Sequence, residues 1–220
     1  IQYGLPVARI ELLDAALVTS VNSYSKLNLP ETPLLLLEFH GSDASVAEQA
    51  ETFGALAEEQ GGTGYVATAT LEERNKLWKA RHDAYWAMLA QHPGRQGVAT
   101  DVCVPISRLA EAVGAATQRA IEMDLIAPIV GHAGDGNFHA SLMVDMTDAE
   151  EILRAKAFVS WLNDLAISMD GTCTGEHGVG QGKKPYLVRE LGQATVDVMA
   201  AIKRALDPDD IMNPGKIIPD

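Results

Sequence analysis

The chain has 220 residues, 47% hydrophobic and 21% charged, enough to bury a sizeable core as one large or two small domains. Its 17 basic and 30 acidic residues give a net charge of −13, which argues against nucleic acid and against an anionic membrane surface as partners. No apolar run approaches the length of a membrane span, and the two cysteines, Cys103 and Cys173, offer no disulfide framework, so a reducing compartment is expected.

In chain order, the apolar spacing of Ile10, Leu13, Ala16, Leu17 and Val21 predicts a helix over Val7–Ser23. Pro33–Phe39 reads as a strand. Asp43–Gln60 reads as a helix, capped by Ser42 or Asp43 and stopped by Gly61-Gly62. Gly64–Ala69 reads as a short strand, Leu71–Ala90 as a long helix, and Gly97–Val104 as a strand closed by Pro105. Ser107–Met123 follows as a helix with Ser107 as N-cap. Ile126–His132 and Phe138–Val144 are strand-like around Asp135-Gly136, a pair suited to a two-residue type I′ turn. Asp148–Met169 is helical, Gly171–Thr174 is a short strand, and Pro185–Glu190 and Gln193–Leu206 are helical before a turn-rich tail. This order predicts an α+β fold: a mostly antiparallel sheet with helices on one face, in ferredoxin-like units, with a helical C-terminal tail.

The predicted hairpin carries two histidines, His132 and His139. A two-residue turn would place them directly opposite each other on one face, with Cβ atoms roughly 5 Å apart. Two imidazoles that close can share a metal ion or simply pack. A third ligand is available in Gly175-Glu176-His177-Gly178, where glycines 171, 175, 178, 180 and 182 let the backbone turn sharply. Two histidines and a carboxylate suit Zn²⁺, Mn²⁺ or Fe²⁺, with positions left open for substrate. Hairpin histidines and glycine loops also serve structure, so spacing alone leaves both readings open.

Several segments together carry a family resemblance. They are Ala8-Arg9-Ile10-Glu11-Leu12-Leu13-Asp14, Thr100 through Leu109, Gly131-His132-Ala133-Gly134-Asp135-Gly136-Asn137-Phe138-His139, Gly171 through Gly180, and Asp207-Pro208 through Asn213-Pro214-Gly215-Lys216. In this order and spacing the chain resembles the C-terminal, or cap, domain of FAD-linked oxidases of the vanillyl-alcohol-oxidase type. The nearest likeness is to the branch that holds D-lactate dehydrogenase (cytochrome) and the D-type component of glycolate oxidase. The resemblance covers residues 1–220. It implies an N-terminal FAD-binding domain outside these residues, since nothing here resembles a glycine-rich pyrophosphate-binding segment. A start at Ile1 fits a piece of a longer protein.

The resemblance implies oxidation of a D-2-hydroxy acid, D-lactate above others, to the 2-oxo acid with hydride transfer to FAD. His132, His139 and Glu176 are the expected metal ligands. His177 is the expected base, with a fourth ligand or a supporting group as the other reading. Arg81, in Leu77-Trp78-Lys79-Ala80-Arg81, matches the family's Trp-x-x-Arg stretch and is the expected partner of the substrate carboxylate, because a guanidinium fork suits that group. Asn213 and Lys216 are expected to contact FAD or its domain. Many members have a lysine shortly before the Asp-Val segment; Gly97-Val98-Ala99-Thr100 has none, and no role is carried over there. Asp135 and Asn137 are expected chiefly to form the turn, and Cys173 to be a small buried thiol. Expected partners are the hydroxy acid, the chain's own flavin domain and an electron acceptor such as a cytochrome or quinone. The expected location is cytoplasmic or membrane-peripheral in a bacterium. Two other readings use the same residues: a stand-alone metal-dependent hydrolase or lyase, and a non-catalytic binding module.

Overall fold

A computed structural model of the chain describes residues 3–68 and 70–219. The elements follow as β1 (Val7–Leu13), α1 (Ala15–Ser25), β2 (Leu34–Phe39), α2 (Asp43–Glu59), α3 (Leu71–His82), α4 (Ala84–Gln91), β3 (Gln96–Ala99), β4 (Val102–Cys103), α5 (Leu109–Glu122), β5 (Ile129–His132), β6 (Asn137–Val144), α6 (Ala149–Ser168), α7 (Leu187–Leu191) and α8 (Gln193–Leu206). Short 3₁₀ turns at Ile106–Arg108 and Lys184–Tyr186 lead into α5 and α7.

The α+β class and the antiparallel sheet are what the chain adopts. The sheet runs β2-β1-β5-β6-β3, with β4 also on β6, and every pair is antiparallel. The helices, however, are not confined to the one face expected. Ile129, Phe138, Ala140, Leu142 and Val144 pack with α5 and α6, whereas Val130 and Met143 pack with α1, α3 and α4. Side chains alternate along a strand, so helices cover both faces of the central strands.

Several local expectations change. The long helix expected over Leu71–Ala90 is two, α3 and α4, divided at Asp83, and Gly171–Thr174 is no strand but contributes one isolated bridge, Thr172 with Cys103. Val7–Leu13 is a strand, not the start of a helix: pairing with both β2 and β5 outweighs a helical spacing. The helix begins only after Asp14, whose carboxylate accepts the Leu17 N–H at 2.8 Å. Residues 64–68 form no strand, with Gly64 at φ +68° breaking the extended run; Ala69 lies outside the described residues. Ser107 lies within a 3₁₀ turn, and α5 begins after Arg108 without a side-chain cap.

The hairpin also turns differently. His132 pairs with Asn137, and Val130 with His139. Residues 133–136 form the loop, and only Gly136 among them has positive φ, at +77°. A type I′ turn at Asp135-Gly136 needs positive φ at both. The register is therefore shifted by two residues from the expected one. An even shift preserves the face, so His132 and His139 remain neighbours, diagonally rather than directly opposed. Gly136 is fixed by packing: a Cβ there would lie 2.0 Å from the Val104 carbonyl oxygen. Gly136→Ala should therefore destabilise the chain by more than about 1 kcal/mol, read from the denaturant midpoint.

Candidate active site

The site lies on the sheet face shared with α3, where β1, β5 and β6 meet the glycine loop. His132 closes β5 and His139 sits in β6. Their rings are 5.7 Å apart and nearly perpendicular. Each ring is held from behind. His132 Nδ1 lies 2.7 Å from Glu11 Oε1, and His139 Nδ1 lies 2.9 Å from the Thr100 carbonyl oxygen. A carbonyl only accepts, so the His139 proton is on Nδ1; an ionised carboxylate places the His132 proton likewise. Both Nε2 atoms face Glu176, whose Oε1 is 3.6 Å from His132 Nε2 and 3.2 Å from His139 Nε2.

Burial pushes the His139 imidazole below its ordinary pKa, although the Thr100 carbonyl and Asp101 favour its charged form. A neutral ring is the form that ligates a metal. The donor set of His132, His139 and Glu176, with ligand atoms all within 4.8 Å of one another, thus fits a divalent cation in identity, spacing and tautomer.

The loop that brings Glu176 here is tied down by Asp101, a residue to which the sequence pattern assigns no role. Asp101 is 1% exposed and faces His139 across the sheet. Its carboxylate accepts the backbone N–H of Glu176 at 3.1 and 3.2 Å, that of His177 at 2.9 Å, and the Asn137 amide at 2.9 Å. Lys183 Nζ adds a contact at 3.2 Å. Burial raises the carboxyl pKa. The hydrogen bonds from His177, Asn137 and Glu176 and the Lys183 charge outweigh it and hold the group well below the usual carboxylate range.

Thr100 breaks the strand just before this acid. The register is the same before and after it, Ala99 opposite Ser141 and Val102 opposite Phe138. Between them the Thr100 hydroxyl accepts the Ala140 N–H, which interrupts the regular strand. Gly175 is needed for close docking of the loop: a Cβ would lie 1.8 Å from Asn137 Nδ2 and 2.7 Å from Asp101 Oδ1. Gly175→Ala should lift the loop from the sheet and raise amide exchange at Glu176 and His177, measured by hydrogen exchange.

His177 stacks on His139 with ring centroids 4.9 Å apart, and its Nε2 is 3.7 Å from Glu176 Oε1. Its side chain is 48% exposed. Arg81 enters from α3, but it is not a solitary cation. Its Nε and Nη2 donate to Glu11 Oε2 at 2.9 and 2.8 Å. That edge of the guanidinium is occupied, which leaves the Nη1–Nη2 edge for an anion. Arg81, His132, His139, Glu176 and His177 all line one cavity of about 410 Å³, together with Arg9, Glu11, Trp78, Tyr85 and Val130. That volume suits a small-molecule site.

Asn213 and Lys216 do not line this cavity. They lie in the exposed tail, Asn213 at φ +51°, where Lys216 Nζ reaches Asn213 Oδ1 at 3.4 Å. The tail does return to the glycine loop, with the Ile217 N–H donating to the Gly180 carbonyl at 2.8 Å. Asn137, expected mainly to shape the turn, is buried and bonded to Asp101 and the Val102 carbonyl. Cys173 is fully buried, and burial pushes its thiol up to about 12. Among the described residues, no helix is long and apolar enough to cross a membrane.

Sequence comparison matches residues 1–217 to the family described as FAD linked oxidases, C-terminal domain. A probable mitochondrial D-lactate dehydrogenase of Danio rerio is 43% identical over 218 residues, 99% of this chain and 44% of the relative. A mitochondrial D-lactate dehydrogenase [cytochrome] of Arabidopsis thaliana is 42% identical over 216 residues, 98% of this chain and 38% of the relative. The chain thus spans less than half the length of these relatives. Both are named as mitochondrial proteins of eukaryotes, which overturns the expected bacterial cytoplasmic or membrane-peripheral location. Among solved structures, the 4-ethylphenol oxidase from Gulosibacter chungangensis shares the fold, with TM-score 0.67, 12% identity, and coverage of 95% of this chain and 47% of that one. The extent of the family match and these identities together establish that the chain belongs to the FAD-linked oxidases, as a C-terminal domain of that family.

Proposed function

We propose that this chain is the substrate-side domain of an FAD-dependent D-2-hydroxy-acid dehydrogenase, with D-lactate as the preferred substrate. The observation that carries the reading is the convergence of His132, His139 and His177 on one Glu176 oxygen, in a cavity shared with Arg81. The similarity to D-lactate dehydrogenases supports the substrate class.

His132, His139 and Glu176 would hold the metal, one of Zn²⁺, Mn²⁺ or Fe²⁺. When bound, the metal supplies a Lewis acid for the substrate hydroxyl, and FAD supplies the hydride acceptor. The protein's own groups do the rest. The free edge of Arg81 binds the substrate carboxylate and fixes which way the carbinol C–H points. His177 takes the hydroxyl proton on Nε2, the nitrogen facing the cluster. With the hydroxyl proton taken by His177 and bound FAD as the hydride acceptor, the hydroxy acid would become the 2-oxo acid. Asn213 and Lys216 are proposed to meet the flavin domain, a role supported by the tail's bond to the glycine loop. The electron acceptor, a cytochrome or quinone, would serve the reduced flavin.

The test is flavin reduction in the full-length protein, followed anaerobically with D-lactate, L-lactate and glycolate. Bleaching should be rapid with D-lactate and slow with L-lactate. Arg81→Lys should raise the D-lactate KM at least about tenfold, the scale of losing one charge-assisted hydrogen bond. Turnover of esters or amides by this chain without flavin would instead favour the hydrolase reading.

A further inference from the structure

Glu11 is a β1 residue only 9% exposed, and its carboxylate is divided between two partners. Oε1 accepts from His132 Nδ1 at 2.7 Å, and Oε2 accepts from Arg81 Nε at 2.9 Å and Nη2 at 2.8 Å. The sheet dictates the first contact, because Glu11 pairs with His132 in the β1–β5 register. The α3 helix supplies the second. Glu11 therefore joins a proposed metal ligand to the proposed carboxylate-binding arginine, two groups from elements otherwise separate in sequence.

We propose that Glu11 is the positioning residue of this site, an inference that rests on the function proposed above. Its Oε1 fixes His132 with the proton on Nδ1, which leaves the Nε2 lone pair directed at the metal and makes the ring a better donor. Its Oε2 anchors one edge of Arg81, so the remaining edge keeps a set distance from the metal. A 2-hydroxy acid presents its hydroxyl and carboxylate at a fixed separation. One carboxylate bridging both receptors matches that separation without relying on either side chain's own stiffness. Glu11 touches neither substrate nor flavin and acts through His132 and Arg81.

The test is Zn²⁺ titration of the chain by calorimetry, with imidazole ¹⁵N shifts of His132 recorded without metal, for wild type, Glu11→Ala and Glu11→Gln. The expected result is Zn²⁺ affinity about 10–100-fold weaker in Glu11→Ala, with the Nδ1–H signature of His132 lost. Glu11→Gln, whose amide oxygen can serve only one of the two partners, should show a smaller loss. Circular dichroism reports that each variant is folded, and if Glu11→Ala is not, Glu11→Gln carries the comparison. Wild-type affinity in a folded variant overturns the proposal. If the wild-type chain takes up no Zn²⁺, the metal reading fails separately, and Glu11 is judged on the tautomer: a His132 that keeps Nδ1–H in Glu11→Ala overturns it.

Discussion

Replacing His177 with alanine should slow flavin reduction by D-lactate in the full-length protein by about 10²–10⁴-fold, the usual contribution of a positioned general base. The expectation is specific because the ring does little for the fold. Half of it is exposed, and the residue's anchor to Asp101 is its backbone N–H, which alanine keeps. Its structural contact is stacking on His139. Stability should therefore change by no more than about 0.5 kcal/mol, as for a surface substitution. Metal uptake separates the two roles open to this residue. A base leaves it unchanged, whereas a fourth ligand lowers it together with the rate. Stopped-flow flavin bleaching and metal titration of the same variant decide between them, and a reduction rate equal to wild type removes His177 from the chemistry.

Asp101→Ala should be the most destabilising change at the site. It leaves the N–H groups of Glu176 and His177, the Asn137 amide and the Lys183 ammonium without their shared acceptor. Removing one partner from a buried charged network costs about 3–5 kcal/mol. For a chain of this size that lowers Tm by roughly 6–20 °C. The loss should be accompanied by release of the glycine loop, seen as rapid exchange of the Glu176 and His177 amides. The pH dependence has a definite sign. The folded-state pKa of Asp101 is depressed, so its stabilisation is complete above the unfolded value near 3.8 and drains away as pH falls below it toward the folded value. Wild type should lose stability across that acid range more steeply than Asp101→Ala. Parallel acid profiles would show that Asp101 is not the anchor.

Much of this arrangement is legible in the sequence because it rests on local pattern. The strand formers on either side of Gly134-Asp135-Gly136 announce a hairpin, and the glycines around Glu176-His177 announce a tight loop. The turn type is not legible. Gly136 is pinned by Val104, a contact made across the sheet rather than within the hairpin. The two histidines stay neighbours only because the register moves by an even number of residues. Val7–Leu13 misleads for a related reason. Its apolar spacing suits a helix, and pairing with β2 and β5 decides otherwise. Asp14 is the available signal, an N-cap residue in the middle of the supposed helix.

The supporting acids are harder to read. Glu11 and Asp101 both sit in or beside strands, among apolar neighbours, where a carboxylate is costly unless it is paired. That position marks them as residues with partners. The partners themselves, Arg81 and His132 for one and the loop amides for the other, come from segments 70 to 121 residues away, and no local pattern names them. Arg81 looks in sequence like a free fork for substrate, yet one of its edges belongs to Glu11.

Calorimetric titration of the chain with Zn²⁺ and Mn²⁺ decides whether His132, His139 and Glu176 form a metal centre. One ion should bind per chain, and His139→Ala should abolish binding. No uptake by the wild-type chain, or equal uptake by wild type and His139→Ala, would mean that these three side chains do not form one.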